Sequence, residues 1–318
     1  MMMTQNSNRG HPNWFTRFWA IVRYEMLWNI RKKKFIGIIA AVFVIATLIL
    51  VVPVAISAYN GAKIAANADY AITFGGSGFV FLLFAIGTAV NSISSEFESG
   101  TIVPLVTKPV SRTMIFLGKV FGAFIILVVS YIVLYGYVTV ASVIVYGPQN
   151  NLQYMPMIVI GSIVSTFIWV SLLFAVGSLS KNTIMTVIVA IILFLAFFFT
   201  APLIGEFSGP SSTLNYFPGT GASGTILVGN GTSVGAGTDN IGANIVNYAL
   251  YPSANVTYFK TNSTALMSGN ATALITNIVS YTEPTSLVAL RSIIIAAAYI
   301  AVFLLIAWYA FKRSQILE

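Results

Sequence analysis

The sequence predicts an all-α polytopic membrane protein: six transmembrane helices, an N-terminal interfacial amphipathic helix, and a large extracytoplasmic loop or small domain between helices five and six. Three observations predict this fold. Of the 318 residues, 57% are hydrophobic and only 8% are charged, whereas a soluble domain carries about 25% charged residues. Six apolar runs are long enough to cross a bilayer core of roughly 30 Å. A long stretch rich in Gly, Ser, Thr and Asn separates the last two runs.

The N-terminal region, residues 1–34, is predicted to be a cytoplasmic tail with an interfacial helix. From Asn13 to Ile30, apolar residues lie on one side of a helical wheel, with Arg17 and Arg23 on the other. This pattern is typical of a helix lying in the membrane interface. A helix of a small soluble domain is the alternative, but a membrane span follows directly. The expected anchoring residues are Trp14, Phe15, Phe18 and Trp19.

Transmembrane helices one to five are expected within residues 35–204, and the sixth within residues 286–318, which end in a cytoplasmic tail. Arg291 is the one charged residue in the six runs, and its long side chain is expected to reach the outer interface. Because ionisable residues are so rare at bilayer depth, an ion-coupled carrier is a weak alternative. The predicted spans are Phe35–Ala58, Gly76–Ile93, Val120–Tyr146, Met155–Leu179, Thr183–Ile204 and Ser286–Phe311.

The basic residues predict the orientation in the cell membrane. Thirteen of the 16 Lys and Arg residues fall on one face of this arrangement and three on the other. Because basic residues are enriched in cytoplasmic segments, both termini and the segment 94–119 are placed in the cytoplasm. The segment 205–285 is then external.

The external segment holds the N-x-S/T sequons of this chain. Such a sequon is modified only outside the cytoplasm, so its position agrees with the charge distribution. Chance occurrence in an Asn- and Thr-rich loop is the alternative. Glycosylation would imply an archaeal or another N-glycosylating source. The candidates are Asn230, Asn255, Asn262 and Asn270.

The sequence lacks the residues of several common catalytic and metal sites. It has no cysteine, and its one histidine, His11, lies in the polar tail. The pair Gly118-Lys119 does not belong to a phosphate-binding loop, because Thr113 and Val120 stand where Gly and Ser or Thr are required. We therefore expect no catalytic residues, no metal site and no cofactor bound by this chain. The net charge of +8 is explained by the membrane topology rather than by nucleic acid.

The segment 94–119 concentrates charge between two apolar runs. Ser95 and Glu98 have capping-box spacing, so a short helix across the cytoplasmic face is expected. Ser111 is a favoured N-cap for a helix starting at Arg112. An ordinary solvated loop is the alternative.

This segment resembles the permease subunits of type-2 ATP-binding-cassette (ABC) exporters. The shared pattern is an acidic residue after the second span, a Gly-Thr pair, a Pro-Val-Ser-Arg turn and a Gly-Lys pair at the third span. In this chain the pattern consists of Glu96 and Glu98, Gly100-Thr101, Lys108-Pro109-Val110-Ser111-Arg112 and Gly118-Lys119.

The resemblance implies a non-catalytic permease that pairs with a second copy or a paralogue in the lipid membrane. Separate ATPase subunits, carrying ATP and Mg, would dock from the cytosol and drive export. The segment 205–285 is longer than the short re-entrant helices typical of that place in the family. A glycosylated membrane anchor or assembly scaffold without transport activity is the alternative. The residues that the resemblance assigns to coupling are Glu96, Glu98, Gly100, Thr101, Lys108, Pro109 and Arg112.

Overall fold

Helices form most of the structure, as predicted. A computed structural model describes residues 13–61, 67–74, 78–90, 92–100, 110–208, 213–227, 232–260 and 279–314. The helices are α1 (Trp14–Ile30), α2 (Lys33–Tyr59), α3 (Tyr70–Thr73), α4 (Gly78–Ala85), α5 (Ser94–Glu98), α6 (Arg112–Tyr146), α7 (Met155–Ser180), α8 (Thr183–Ser208), α9 (Ile241–Leu250) and α10 (Thr285–Arg313).

In the part of the chain that the structure describes, five helical stretches are long and apolar enough to cross a membrane. They are α2, Gly78–Glu98 (α4 through α5), α6, α7 with its preceding turn, and α10. The predicted fifth span corresponds to α8, whose apolar part, Thr183–Phe199, is shorter. The chain is therefore a multi-pass membrane protein with helix positions close to those expected.

The second stretch changes its geometry before it ends. After α4, the five residues Ile86–Val90 form a π-helical turn, a wide turn that often marks functional sites. The five-residue α5 then follows. The expected capping box is not formed, because the N-cap residue of α5 is Ile93 and no side chain caps the helix.

The third long helix begins where its cap predicts. The Ser111 hydroxyl accepts a hydrogen bond from the Met114 backbone N–H at 3.2 Å, and α6 starts at Arg112. Because α6 starts at Arg112, Lys119 lies inside the helix and not in the connection before it, although the apolar run begins only near Val120. This position decides the role of Lys119 in the site described below.

The centre of the bundle is formed by α4, α6 and α7. Trp169, Tyr131 and Tyr135 are among the largest fully buried side chains. The Tyr131 hydroxyl lies 2.6 Å from Thr166 Oγ1, and the Tyr135 hydroxyl lies 2.7 Å from Ser162 Oγ. Polar groups within these helices thus hydrogen-bond to one another across α6 and α7.

A four-stranded antiparallel sheet lies in the segment between α8 and α10, with strand order β2-β1-β3-β4. The sequence left this segment as a loop or small domain. Ile226 and Val256 form its core with Val288 of α10, so the sheet is attached to the last helix. The strands are β1 (Ser223–Ile226), β2 (Thr232–Gly235), β3 (Asn255–Lys260) and β4 (Val279–Pro284).

Part of the same segment enters the helix bundle. Gly161 of α7 faces Gly242 of α9 so closely that a side chain at Gly161 would overlap the Gly242 backbone. The Ser165 hydroxyl donates to the Thr238 carbonyl at 2.8 Å. Ser165 lies ten residues after Met155, so this contact is about 15 Å along α7. We call the end of the bundle next to the sheet the sheet end. The opposite end is called the basic end, because it holds residues 31–34, Arg112, Lys181, Lys312 and Arg313.

Candidate functional site

A buried ion cluster joins three helices at the basic end of the bundle. Lys119 Nζ of α6 lies 2.5 Å from Glu25 Oε1 of α1 and 2.6 Å from Glu96 Oε2 of α5. The side chains of Lys119 and Glu25 are 0% exposed, and that of Glu96 is 2% exposed. One cation therefore holds α1 and α5 against α6. We call these three residues the charged joint.

Two glycines allow α1 to come close enough for the joint to form. A Cβ atom on Gly118 would lie 2.6 Å from Cγ2 of Ile21, and one on Gly122 would lie 2.9 Å from Cβ of Glu25. Both distances are too short for real side chains. The GxxxG spacing of α6 therefore provides the flat surface on which α1 packs, and Lys119 projects beside it.

Neutral polar side chains extend the contact between α1 and the second span. The buried Asn29 side chain donates to the Ser92 hydroxyl at 3.2 Å and to the Glu25 carbonyl at 3.0 Å. Lys32 Nζ lies 3.3 Å from Ser95 Oγ and 4.9 Å from the ring centroid of Trp28. The end of α1 is thus fixed to the chain that leads into α5.

The charged joint carries one more carboxylate than it has cations. Glu25 Oε2 is buried and has no hydrogen-bond partner among the described residues. The pKa of Glu25 is raised above its ordinary value of 4.5. Burial is the largest cause; the nearby Lys119 lowers the pKa, and the Glu96 carboxylate raises it further. Because an uncompensated buried charge is costly, Glu25 is easier to protonate in the folded protein than in the unfolded chain.

This imbalance predicts a pH-dependent stability. The folded protein binds a proton on Glu25 more tightly than the unfolded chain does, so this contribution is present below pH 4.5 and is lost as the pH rises through the raised folded pKa. The slope can reach about 1.4 kcal/mol per pH unit. We expect Glu25→Gln to flatten the dependence in detergent-based thermal unfolding. Asp69→Asn, a change at an exposed carboxylate of the sheet end, is the matched control and should leave the dependence as in the wild type.

Two other predicted coupling residues also tie helix ends together. Glu98 Oε2 accepts a hydrogen bond from the Thr183 backbone N–H, the first of α8, at 3.0 Å. Arg112 Nη1 donates to the carbonyls of Lys312 and Ser314, both at 3.0 Å, at the end of α10. Cations favour helix C-termini, where carbonyls are unpaired. The charged side chains at the basic end therefore bind α5 to α8 and α6 to α10.

The remaining predicted residues have varied positions. Glu96 is buried in the charged joint, so its carboxylate is not accessible to a docking partner. Gly100 has a φ of +68°, and no atom of the described residues lies within 4 Å of a Cβ placed on it. Trp14, Phe15 and Trp19 are exposed, and Phe18 stacks on Trp14 with ring centroids 5.4 Å apart. The predicted residues Thr101, Lys108, Pro109, Asn230, Asn262 and Asn270 lie outside the described residues.

A second buried ion pair lies at the sheet end and corrects the expectation for Arg291. Its guanidinium donates to both carboxylate oxygens of Glu283, at 2.7 and 2.6 Å. Arg291 is 8% exposed, so it does not reach out to the interface. The Tyr258 hydroxyl also donates to Glu283, and burial together with Glu283 raises the pKa of Tyr258, which keeps that proton in place. Glu283, the partner of Arg291 that the sequence interpretation missed, lies in β4.

Sequence analysis also missed Glu25 and Asp239. Glu25 follows Val22 by three residues and lies on the same face of α1 as that buried side chain. An acidic residue on an apolar face was the signal that could have indicated a buried carboxylate. The buried Asp239 carboxylate accepts hydrogen bonds from the Gly219 N–H at 2.6 Å and the Gly221 N–H at 3.1 Å. Within the described chain, no cluster of three or more His, Asp or Glu side chains could hold a metal ion.

The fold and this site define a polytopic helical membrane protein whose helix ends are joined by buried charges. The family described as ABC-2 family transporter protein matches residues 19–316. The chain belongs to this family, which confirms the resemblance seen in the sequence. It is the non-catalytic membrane component of an ABC transporter, and an ABC ATPase is its implied partner. No curated protein matches the chain.

Proposed function

We propose that this chain is the permease subunit of an ABC exporter and that ATP, bound with Mg on separate subunits, drives movement of its basic end. The charged joint is the observation that carries this proposal. A push on α5 or on the segment after it would be passed to α1 and α6 through Lys119, because a buried ion pair resists separation. The partner chains would supply the catalysis.

The remaining contacts at the basic end support the same role. Glu98 would pass the movement to α8, and Arg112 would pass it to α10. Packed helices respond to such a push by switching between discrete arrangements rather than by bending gradually. Coupling is then a property of connected helix ends, with Glu96 acting inside the protein and Glu98 at its surface.

The proposed topology has six spans, with α8 as the fifth, in the cell membrane and with both termini in the cytoplasm. The basic residues at one end of the bundle support this orientation. The sheet end would face outward. We also propose a transporter containing two permeases, either two copies or a copy and a paralogue, with two ATPase subunits beneath them, as the family resemblance implies.

Glycosylation of the sheet end completes the proposal. Asn255 is exposed at the first position of β3, where a glycan would not disturb the sheet core. This implies an archaeal or another N-glycosylating source. A glycan mass on the Asn255 peptide of the natively expressed chain, absent in Asn255→Gln, would support it, and an unmodified Asn255 peptide would count against it.

The test of the proposed function is co-purification of the tagged chain from its native host in gentle detergent. We expect a stoichiometric ATPase subunit in the eluate. Glu98→Arg should reduce its recovery at least several-fold, because reversed charge at a contact surface opposes association. The matched control is Asp69→Arg, the same change at an exposed acid of the sheet end, which should have no effect. Absence of an ATPase subunit, or equal loss in both variants, would contradict the assignment.

A further inference from the structure

An apolar groove runs along the bundle surface between α1, α2 and α6. Its volume is about 270 Å³. One stripe of side chains from each helix forms its wall, and Ile30, Val129 and Val133 at its edges are exposed. The groove is therefore open to the surroundings of the helices along its length. The residues that line it are Met26, Ile30, Phe35, Ile39, Phe43, Ile126, Val129, Ser130 and Val133.

Basic residues stand at one end of the groove. Arg31, Lys33 and Lys34 are exposed in and next to the connection between α1 and α2, and this connection lies between the lining residues Ile30 and Phe35. From Phe35 to Phe43 the groove extends about 12 Å along α2 at the helical rise. Half of a roughly 30 Å bilayer core is about 15 Å. The groove thus spans about one leaflet, with its cations at headgroup level.

We propose that this groove holds one acyl chain of an anionic phospholipid whose phosphate headgroup binds Arg31, Lys33 and Lys34. The apolar wall fits a hydrocarbon chain, and the cations fit a negatively charged headgroup. The lipid would fill the gap between the interfacial helix and the first span, directly beside the charged joint. It would therefore stabilise the position of α1 that the joint requires.

The test counts lipids retained by the purified full chain in native mass spectrometry, with phosphatidylglycerol and phosphatidylcholine of identical chains supplied in the detergent. We expect one phosphatidylglycerol per chain to be retained in preference to phosphatidylcholine. Lys33→Gln with Lys34→Gln should weaken retention roughly 30-fold, because each cation near an anionic headgroup contributes several-fold. Lys312→Gln with Arg313→Gln is the charge-matched control at exposed positions and should not weaken it.

A second pair of variants tests the groove itself. Val129→Trp with Val133→Trp should fill it from its exposed edge and reduce retention at least 10-fold. Val140→Trp with Ile144→Trp places the same bulk at the same spacing on exposed positions of α6 outside the groove and should leave retention unchanged. If the double variant is not monodisperse, Val133→Phe alone serves. Equal retention of both lipids, unaltered retention in the groove variant, or equal loss in the controls would overturn the proposal.

Discussion

Lys119→Met is expected to destabilise the protein by about 3–5 kcal/mol, the usual cost of removing one partner from a buried ion pair. The substitution keeps the apolar stem of the side chain and removes only its charge. Glu25 and Glu96 would then face each other in a buried site without the Lys119 cation between them. We expect this loss in unfolding measurements made by denaturant titration in mixed micelles.

Two comparisons separate the charge effect from a packing effect. Lys312→Met removes a lysine charge at an exposed position of α10 and should change stability by less than about 1 kcal/mol. Adding Glu25→Gln and Glu96→Gln to Lys119→Met removes the uncompensated charge, and buried ion clusters can often be replaced by neutral groups at little cost. We expect this triple variant to recover most of the lost stability. A Lys119→Met variant as stable as Lys312→Met would contradict the role given to the joint.

Arg291→Met is expected to release the sheet from α10. It leaves the Glu283 carboxylate buried with the Tyr258 hydroxyl as its remaining side-chain donor among the described residues, and the expected cost is again about 3–5 kcal/mol. Because the sheet is small, the effect should be local opening rather than global unfolding. Hydrogen exchange of the β3 and β4 amides should accelerate by about 100-fold or more, following 1.4 kcal/mol per factor of ten.

Arg313→Met provides the matched control for this prediction. Both arginines belong to α10 and both lie over a tyrosine ring, Arg291 at 5.3 Å from Tyr216 and Arg313 at 4.9 Å from Tyr309. Arg313 is exposed, so its loss should leave exchange in the sheet unchanged. The pair Arg291→Met and Glu283→Gln should restore much of the protection. Unchanged exchange in Arg291→Met would mean that the arginine does not hold the sheet.

Local sequence signals predicted the helices of the bundle well. The apolar runs gave the positions of the long helices, because a bilayer demands about 20 apolar residues for each crossing. Ser111 predicted the start of α6, because a cap bonds to a backbone group only three residues away. Family membership followed from motifs within residues 96–119, which are also close together in the chain.

The partners of the charged side chains could not be predicted in this way. Glu25 and Lys119 are 94 residues apart, and nothing local to either indicates that they meet. Arg291 was interpreted from its own helix alone, whereas Glu283 belongs to a strand. The sheet itself was missed because β1 and β2 have four residues each and are rich in Gly, Ser and Thr, so they lack the alternating apolar pattern of longer strands.

The most direct test of the central claim is a reversible cross-link between α5 and the bundle. A Cβ atom on Gly177 would lie 3.3 Å from Cβ of Ser94, close to the 3.5–4.5 Å or so found in disulfides, and the chain has no cysteine of its own. We predict that oxidation of the double variant Ser94→Cys with Gly177→Cys stops ATP hydrolysis by the complex of the chain with its ATPase subunits. Reduction of the disulfide should restore hydrolysis, and the single variants should not respond to either treatment. Full hydrolysis in the oxidised, cross-linked complex would contradict the proposal that movement of the basic end drives transport.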